Sequence, residues 1–504
     1  MDLFLLLISM ISILLAYKFY KKLKYNLPPG PFAWPILGNL PSFGPDITQS
    51  IDKWSQTYGR IISIWVGSNL NVVVSSSELA KQVLKDQDQM LAHRPRNKSV
   101  SIMSRNGKGM LWSDYSPNYA KLRKLCTLEV FCQKGIEAFR HFREDEIRLM
   151  IYSIYKDSST DDFDYLLIRK YLNTMNLNIA SMLALGKRLM AGKGDGNELG
   201  FEFKAILDEE IKLATSLSPA EHIWWLNWIF RVREKAFSSH LARRDEFIRV
   251  IMDEYKKDCD SKRNLGNALL GSEERFSEEN IIGLVWDVIT AGSETSSSVV
   301  ECAMAELVIN PNLQDKAQQE LDNVIGKNRV MSELDIPNLP YLQCVAKEAL
   351  RLHPPAPFLL PHKAGSDVRI AGYDIPEGTS IHVNAKAIGR DPEIWKDPLK
   401  FQPERFMEED VELIKGFDFR LLPFGAGRRM CPAAQLGNIL VTSMLGNLLY
   451  YFKWRLADGV KPEEIDFSRT SMPGNVAKTQ LRVVPSFRLP EHLYKLESLD
   501  MLSS

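Results

Sequence analysis

The sequence predicts a mainly α protein with small β-sheets, built on one large core, and three observations carry that prediction. β-like alternation is confined to residues 36–75 and to short pieces at 368–375, 380–383 and 481–487. Elsewhere apolar residues recur at three-to-four spacing, with breaks at Pro and Gly, which is the period of amphipathic helices. One stretch, residues 277–310, is mostly apolar over its whole length and reads as a single buried helix. Length alone, at 504 residues, would suggest about three domains. No linker rich in Pro, Gly and Ser divides the chain beyond its N-terminal end, so a single core is expected.

At the N-terminus, residues Leu3 to Tyr17 are almost wholly apolar and are followed by Lys18, Lys21, Lys22 and Lys24, with Tyr17 and Tyr20 at the boundary. A cleaved signal peptide carries its positive charge before the apolar run and small residues after it; here the charge follows. The run is shorter than the roughly 20 residues that span a bilayer, and terminal lysines and tyrosines extend its reach by snorkelling. Residues 1–17 are therefore expected to be a retained anchor. The lysines place the downstream side in the cytosol and the N-terminus in the lumen, so the sequon Asn97-Lys98-Ser99 would face the wrong side for glycosylation. Residues 18–31 follow as a basic and proline-rich hinge, with Leu27-Pro28-Pro29-Gly30-Pro31 stiff and extended. The remainder, 32–504, is the globular body. A surface proline cluster without consequence is the alternative reading of the hinge.

Lys plus Arg and Asp plus Glu number 63 each, so nothing in the charge balance proposes nucleic acid as a partner. The six cysteines, Cys126, Cys132, Cys259, Cys302, Cys344 and Cys431, include no C-x-x-C pair. That spacing suits neither a disulfide framework nor a zinc site, and it fits a reducing compartment.

Along the body, Ile61–Val66 and Asn71–Val74 read as strands, and residues 258–275 as a polar surface loop before the long helix. That helix has Ser277 as N-cap, Glu278 and Glu279 in its first turn, and Pro311 just past its end. Such a rod is about 48 Å long and crosses the globule. In its middle stands Ala291-Gly292-Ser293-Glu294-Thr295. Glycine, an acid and a hydroxyl are costly in a buried helix unless something uses them. The glycine would open a groove for a ligand, and Glu294 and Thr295 would relay protons toward it. A threonine bonded back to its own helix and a glutamate reaching solvent are the plain alternative.

Near the C-terminus, Pro423-Phe424-Gly425-Ala426-Gly427-Arg428-Arg429-Met430-Cys431-Pro432 wraps one thiol in glycine and arginine. A thiolate here would be the axial ligand of a haem iron, where sulfur donates electron density and favours cleavage of an O–O bond. Glycines let the backbone turn tightly beside a cofactor, and Arg429 would fork onto a propionate. An isolated cysteine is more often just a small buried hydrophobe.

The pattern F-x-x-G-x-R-x-C, formed by Phe424, Gly427, Arg429 and Cys431, resembles the haem-binding loop of the cytochrome P450 superfamily. Ala433 departs from the glycine that usually closes it. The Glu294-Thr295 stretch resembles that family's oxygen-activating motif, and the proline-rich segment its microsomal hinge. Glu348-Ala349-Leu350-Arg351 is by itself an ordinary ion pair three apart on a helix. With His353-Pro354-Pro355 and Phe401-Gln402-Pro403-Glu404-Arg405-Phe406 downstream, it resembles the family's E-x-x-R helix, implying a structural triad of Glu348, Arg351 and Arg405. Arg123 and His362 are two further cationic candidates for the propionates. Tyr119 stands where the family has Trp on the helix of Arg123. The resemblance implies the cytochrome P450 fold, with haem b (iron protoporphyrin IX) between the long central helix and the cysteine loop, Cys431 as the metal ligand, and Glu294 and Thr295 as the catalytic pair. It also implies O2 as co-substrate and electrons from NADPH through NADPH–cytochrome P450 reductase. Lys121, Lys124 and Arg428 would form the basic docking patch, and the alternative for them is a solvated helix face. Membrane lipid would hold the anchor at the endoplasmic reticulum.

Longer stretches sharpen the likeness. Ile62-Ser63-Ile64-Trp65-Val66-Gly67-Ser68, Lys121-Leu122-Arg123-Lys124-Leu125-Cys126-Thr127 and Asp418-Phe419-Arg420-Leu421-Leu422-Pro423-Phe424-Gly425 resemble the plant p-coumaroyl shikimate/quinate 3'-hydroxylase family. That implies a small phenolic substrate and meta-hydroxylation of a p-coumaroyl-type ester or amide in phenylpropanoid metabolism. The segments Asn97 to Met110, Ala356-Pro357-Phe358 and Met472 to Thr479 differ from the pattern of that family where substrate would lie, which argues for a different acyl acceptor. Oxygenation of another plant metabolite, a haem isomerase or dehydratase, and a non-catalytic haem binder are the competing readings. An isomerase or dehydratase would need no Glu294–Thr295 relay.

Overall fold

A computed structural model describes residues 24–44, 46–190, 198–215, 221, 227–257, 265–266, 276–409, 411–467 and 479–496. Fifteen α-helices are used below. They are α1 (Ile47–Tyr58), α2 (Ser77–Lys81), α3 (Lys98–Met103), α4 (Pro117–Leu125), α5 (Gln133–Ala138), α6 (Arg140–Ser158), α7 (Ile168–Leu185), α8 (Glu198–Thr215), α9 (Asn227–Lys257), α10 (Glu278–Ile309), α11 (Pro311–Ile325), α12 (Pro340–Leu352), α13 (Ala385–Ile388), α14 (Arg405–Glu408) and α15 (Ala434–Tyr451).

The strands are β1 (Ile61–Val66), β2 (Asn69–Val74), β3 (Leu166–Leu167), β4 (His362–Lys363), β5 (Val368–Ile370), β6 (Tyr373–Ile375), β7 (Ser380–Val383), β8 (Phe452–Leu456) and β9 (Arg482–Phe487). They form a four-stranded sheet in the order β1-β2-β7-β4, a three-stranded sheet β3-β9-β8 and the hairpin β5-β6. β1 and β2 run antiparallel with Ile61 opposite Val74, and β2 and β7 run parallel with Val72 opposite Ile381. The mainly α architecture is as expected, and so are the strands at 61–66, 368–375, 380–383 and 482–487. Two elements differ from the sequence reading. Residues 47–58, inside the stretch taken as β-like, are helix α1, started by Asp46, whose carboxylate accepts from the N–H groups of Thr48 and Gln49. Phe452–Leu456 is a strand because β9 offers it a partner, a long-range fact that local periodicity does not carry.

Helix α10 has the predicted ends. The Ser277 hydroxyl accepts from the Asn280 N–H at 3.2 Å, and Pro311 opens α11. Its most extensive partner is α7, with α15 and α12 on other sides. Gly292 contributes to this closeness, since a Cβ there would lie 3.0 Å from the Cβ of Ala180 on α7. The expectation that this glycine opens a groove for a ligand is thereby corrected: the space it leaves is filled by a neighbouring helix.

Apolar side chains of α6, α7, α10, α12 and α15 merge into one core. A second cluster lies under the four-stranded sheet and takes in Phe419, Leu422 and Ala426. The segment before Cys431 is therefore clamped between helical and sheet halves, with Leu421 and Phe424 on the helical side.

The anchor expected at residues 1–17 lies outside the described residues, as does nearly all of the 258–275 loop. Among the described residues no helix is long and apolar enough to cross a membrane. The described part of the proline stretch is fastened to the body. Ser63 donates from its N–H to the Pro29 carbonyl at 2.8 Å and from its hydroxyl to the Pro28 carbonyl at 2.7 Å. The Asp374 carboxylate accepts from the Asn26 N–H at 3.0 Å.

Candidate active site

The thiol of Cys431 is positioned by a loop whose shape depends on two glycines. Gly425 and Gly427 have φ of +68° and +67°, in the left-handed region that side chains disfavour. A Cβ on Gly427 would also fall 1.8 Å from the carbonyl oxygen of Leu84. The loop closes when the Cys431 N–H donates to the Phe424 carbonyl at 2.9 Å, and α15 starts directly after it. Ala433, the departure from the usual glycine, has φ −99° and ψ 22°, which an alanine adopts without strain. Burial raises the Cys431 thiol pKa, opposed by the Ala433 N–H and by the charge of Arg123. A coordinated metal cation reverses such a rise outright.

Beside this loop lie two guanidiniums that make no hydrogen bond to a carboxylate among the described residues. Arg94 is 4% exposed; it donates to the carbonyls of Leu360 at 2.7 Å and Pro361 at 2.6 Å, and its buried Nε has no partner. Arg429 donates to the carbonyls of Ala92 at 2.6 Å, Met110 at 3.4 Å and Ser113. Among the described residues no carboxylate accepts a hydrogen bond from either guanidinium. Burial and the charge of Arg429 bring the Arg94 pKa down to about 9. His362, on β4, bonds the Leu91 carbonyl through Nδ1 at 2.8 Å. Burial, then Arg94, lowers its pKa to about 3. The sequence reading took His362 as a cation; here desolvation and two nearby guanidiniums oppose its charge. A buried and a half-buried guanidinium that no carboxylate hydrogen-bonds, an orphaned guanidinium nitrogen and a half-buried thiol suit a metalloporphyrin carrying carboxylates. These residues fit haem.

Tyr119, in the place of the family's tryptophan, packs against the arginines. Its ring lies under Arg429, with the guanidinium carbon 3.9 Å from the centroid. Its hydroxyl donates to the Arg428 carbonyl at 3.1 Å and accepts from Arg123 at 3.3 Å. Of the three expected basic residues, Arg428 is engaged with Asp88 at 3.1 Å and the Tyr115 hydroxyl at 2.8 Å. Lys121 and Lys124 are exposed. Arg123, Lys124 and Arg428 border a shallow depression of about 350 Å³.

On the central helix, Ala291 and Thr295 are exposed although the sequence around them is buried, from Ser296 to Val308 without interruption. Exposure in the middle of a core helix marks an internal opening. Thr295 donates from its hydroxyl to the Ala291 carbonyl at 2.9 Å, the back-bond anticipated as the plain alternative; the hydroxyl oxygen keeps its acceptor capacity. Glu294 is half-buried, and desolvation raises its carboxyl pKa, opposed by Arg169 and assisted by Asp208. No hydrogen bond joins Glu294 to Thr295 among the described contacts.

The E-x-x-R triad is assembled as the resemblance implied. Glu348 and Arg351 are fully buried and joined at 2.6 and 2.8 Å, and Arg405 reaches the same carboxylate at 3.0 Å. The remaining Arg351 donors go to the carbonyls of Gly389, Pro398 and Lys400. Every member is satisfied, the condition under which a buried polar network rigidifies its surroundings.

Of the divergent segments, Asn97 to Met110 forms α3 and a turn in which Arg105, Asn106 and Gly107 all have positive φ. Phe358 packs against the cluster of Ile51, Ile62, Ile64 and Val73. Residues 472–478 lie outside the described set. Sequence reasoning missed Arg94 and Asp287. The available signals were an arginine two residues after apolar Leu91 and Ala92, past His93, and a lone acid inside the apolar run Leu284 to Ile289.

Comparison with known proteins agrees with this geometry. The family model for cytochrome P450 matches residues 28–481. Cytochrome P450 98A2 of Glycine max is 52% identical over 97% of both chains. Cytochrome P450 98A1 of Sorghum bicolor is 48% identical over 94% of both. A flavonoid 3'-monooxygenase of Petunia hybrida is 36% identical over 89% of this chain and 90% of its own. A zebra fish cytochrome P450 structure with progesterone superposes with a TM-score of 0.73 at 24% identity, covering 87% of this chain and 99% of that one. The chain belongs to the cytochrome P450 family, alongside its plant 98A members, and is a monooxygenase that uses haem and electrons delivered from NADPH by a reductase.

Proposed function

We propose that this protein meta-hydroxylates the phenol ring of a p-coumaroyl-type ester or amide. One atom of O2 enters the ring, and the other leaves as water at the expense of NADPH. The observation that carries this reading is the two groups of relatives around the chain. The 98A proteins match it over almost its whole length, and the next relatives are named for oxygenation at a 3' position of a flavonoid.

In this reading Cys431 would hold the haem iron through its thiolate, and Arg94, Arg429, Arg123 and His362 would hold the propionates. Haem held by a thiolate supplies O–O bond cleavage. The chain's own contribution is placement and protons. The Thr295 hydroxyl stands at the opening in the central helix, where it can accept and pass a proton. Glu294, with its raised pKa, is a proton source one residue away. The N-terminal segment would hold the body at the cytosolic face of the endoplasmic reticulum. The depression beside Arg123, Lys124 and Arg428 would receive the acidic face of the reductase.

Two experiments test this. Microsomal enzyme with NADPH and a panel of p-coumaroyl esters and amides should give a catechol product, and a panel without one refutes the substrate class. Cys431→Ala should abolish the thiolate-type Soret band of the reduced carbon monoxide complex together with all product. Retention of that band refutes the ligand assignment.

A further inference from the structure

The depression beside the cysteine loop is bordered by Arg123, Lys124 and Arg428, with Leu128 exposed at its rim, and no acid lines it. One acid nevertheless reaches it from outside. Arg428 donates from Nε to Asp88 Oδ1 at 3.1 Å and from Nη1 to the Tyr115 hydroxyl at 2.8 Å. Of the three bordering cations it alone has a carboxylate partner among the described residues: Arg123 donates to the Tyr119 hydroxyl, and Lys124 is exposed with no acid beside it. The Arg428 and Asp88 side chains are 41% and 25% exposed. An ion pair so open to water is worth little and exchanges one partner for another readily.

Asp88 owes its place to the backbone. It follows the π-helical turn Gln82–Asp86, which continues α2. The Leu84 carbonyl of that turn meets Gly427, and Asp88 Oδ2 lies 3.4 Å from where a Cβ of Gly427 would stand. The acid is therefore set against the residue before Arg428 by the same contact that shapes the cysteine loop. The guanidinium, at the end of a long rotatable side chain, can leave while Asp88 stays. Arg428 thus already has, within its own chain, the kind of partner that an acidic protein surface would offer it.

We propose that Asp88 is an internal counter-acid of the docking depression: it holds Arg428 in the free enzyme, gives it up to a carboxylate of the reductase on docking, and by that exchange keeps the affinity for reductase low. This deepens the docking reading above and rests on it for the identity of the partner.

The test titrates full-length microsomal enzyme with NADPH–cytochrome P450 reductase at low ionic strength, where surface charge is least screened. It reads the reductase concentration that half-saturates the rate of haem reduction, trapped as the carbon monoxide complex. Asp88→Asn keeps an oxygen for the Arg428 donor and removes the charge; it should lower that concentration by about fivefold, equivalent to about 1 kcal/mol. In an Arg428→Gln background the same substitution should change it by less than about twofold, since the two residues act as a pair. Glu129→Gln removes an exposed acid next to Leu128 that pairs with no cation among the described residues, and it too should change the value by less than about twofold. An unchanged concentration in Asp88→Asn overturns the proposal, as does the same gain with Arg428→Gln present or in Glu129→Gln. Should Asp88→Asn form no haem chromophore, Arg428→Gln alone decides. It should weaken docking less than Lys124→Gln does, because what Arg428 gains on the reductase it first gives up at Asp88, and an equal or larger loss overturns the proposal. Lys124→Gln also separates the two readings. If it leaves the concentration unaltered, the reductase docks elsewhere and both fall; if it raises the concentration while Asp88→Asn changes nothing, the docking reading stands and the role of Asp88 fails.

Discussion

Replacing Glu348 by alanine removes the buried anion that Arg351 and Arg405 share. The carboxylate accepts four hydrogen bonds: from Arg351 Nε at 2.6 Å and Nη2 at 2.8 Å, from Arg405 Nε at 3.0 Å and from the Gln402 N–H at 2.8 Å. At about 1.5–3 kcal/mol for each bond to a charged group, the gross loss is about 6–12 kcal/mol. The net loss is smaller, because both arginines keep backbone carbonyl partners and relax toward them. Breaking a buried pair by removing one member costs about 3–5 kcal/mol. With an unfolding entropy of about 2.1 cal/mol/K per residue, the 504 residues give roughly 1 kcal/mol/K. The expected shift is thus about 3–5 °C downward in thermal midpoint. The network ties the end of α12 to the backbone at residues 389–402, upstream of the cysteine loop, so haem retention should fall too. Assay is by thermal melting of the haem-loaded protein followed through the thiolate-type Soret band. A midpoint within about 1 °C of wild type, with the band intact, would refute the claim that this carboxylate holds the segment in place.

Thr295→Ala should leave NADPH oxidation running while product per NADPH falls by about 100-fold and peroxide rises correspondingly, the low end of what a positioned proton donor contributes; unchanged coupling would exclude the hydroxyl from the relay. Gly292→Ala places a methyl 3.0 Å from the Ala180 Cβ and should destabilise the α7–α10 contact by about 1–3 kcal/mol, read as a lower denaturant midpoint. An unaltered midpoint means the helices have slack there. For Asp114, burial raises the carboxyl pKa, but Lys363, the Arg94 N–H and Arg96 together outweigh it and bring it to about 2. A lowered folded pKa stabilises fully above the ordinary value near 3.8 and is lost as pH falls toward 2. Asp114→Asn should therefore flatten the acid limb of the stability curve below pH 4 and leave its neutral part parallel to wild type; an unaltered acid limb would contradict the assignment.

Much of the site was legible because it is written in contiguous residues. The loop Phe424 to Cys431 carries its own backbone requirements, and Gly427 shows them twice, in its positive φ and in its contact with Leu84. The ends of α10 were legible because capping is a local interaction. His362 and Gly292 were misread for the same physical reason: each residue type was judged by its ordinary behaviour, while its behaviour here is set by neighbours far away in sequence. A histidine is a cation only if its surroundings are wet or acidic, and those of His362 are Leu91, Arg94 and Arg429. A glycine makes a groove only if nothing fills it, and Ala180 does.

Sequence by itself determined the chemistry: a thiol in a glycine-bent loop, an acid and a hydroxyl in the middle of a long apolar helix, and a balance of charge that leaves recognition to local sites. Tertiary structure alone decided which distant groups meet. It brought Arg94 beside Arg429 with no carboxylate hydrogen-bonded to either guanidinium among the described residues, put Tyr119 under the Arg429 guanidinium, and laid the 108–111 backbone on Asp287. Short-range order follows from residue type and spacing, which a chain displays openly. Contacts between segments nearly 180 residues apart, such as Met110 with Asp287, depend on how every element between them packs, and no local pattern encodes that.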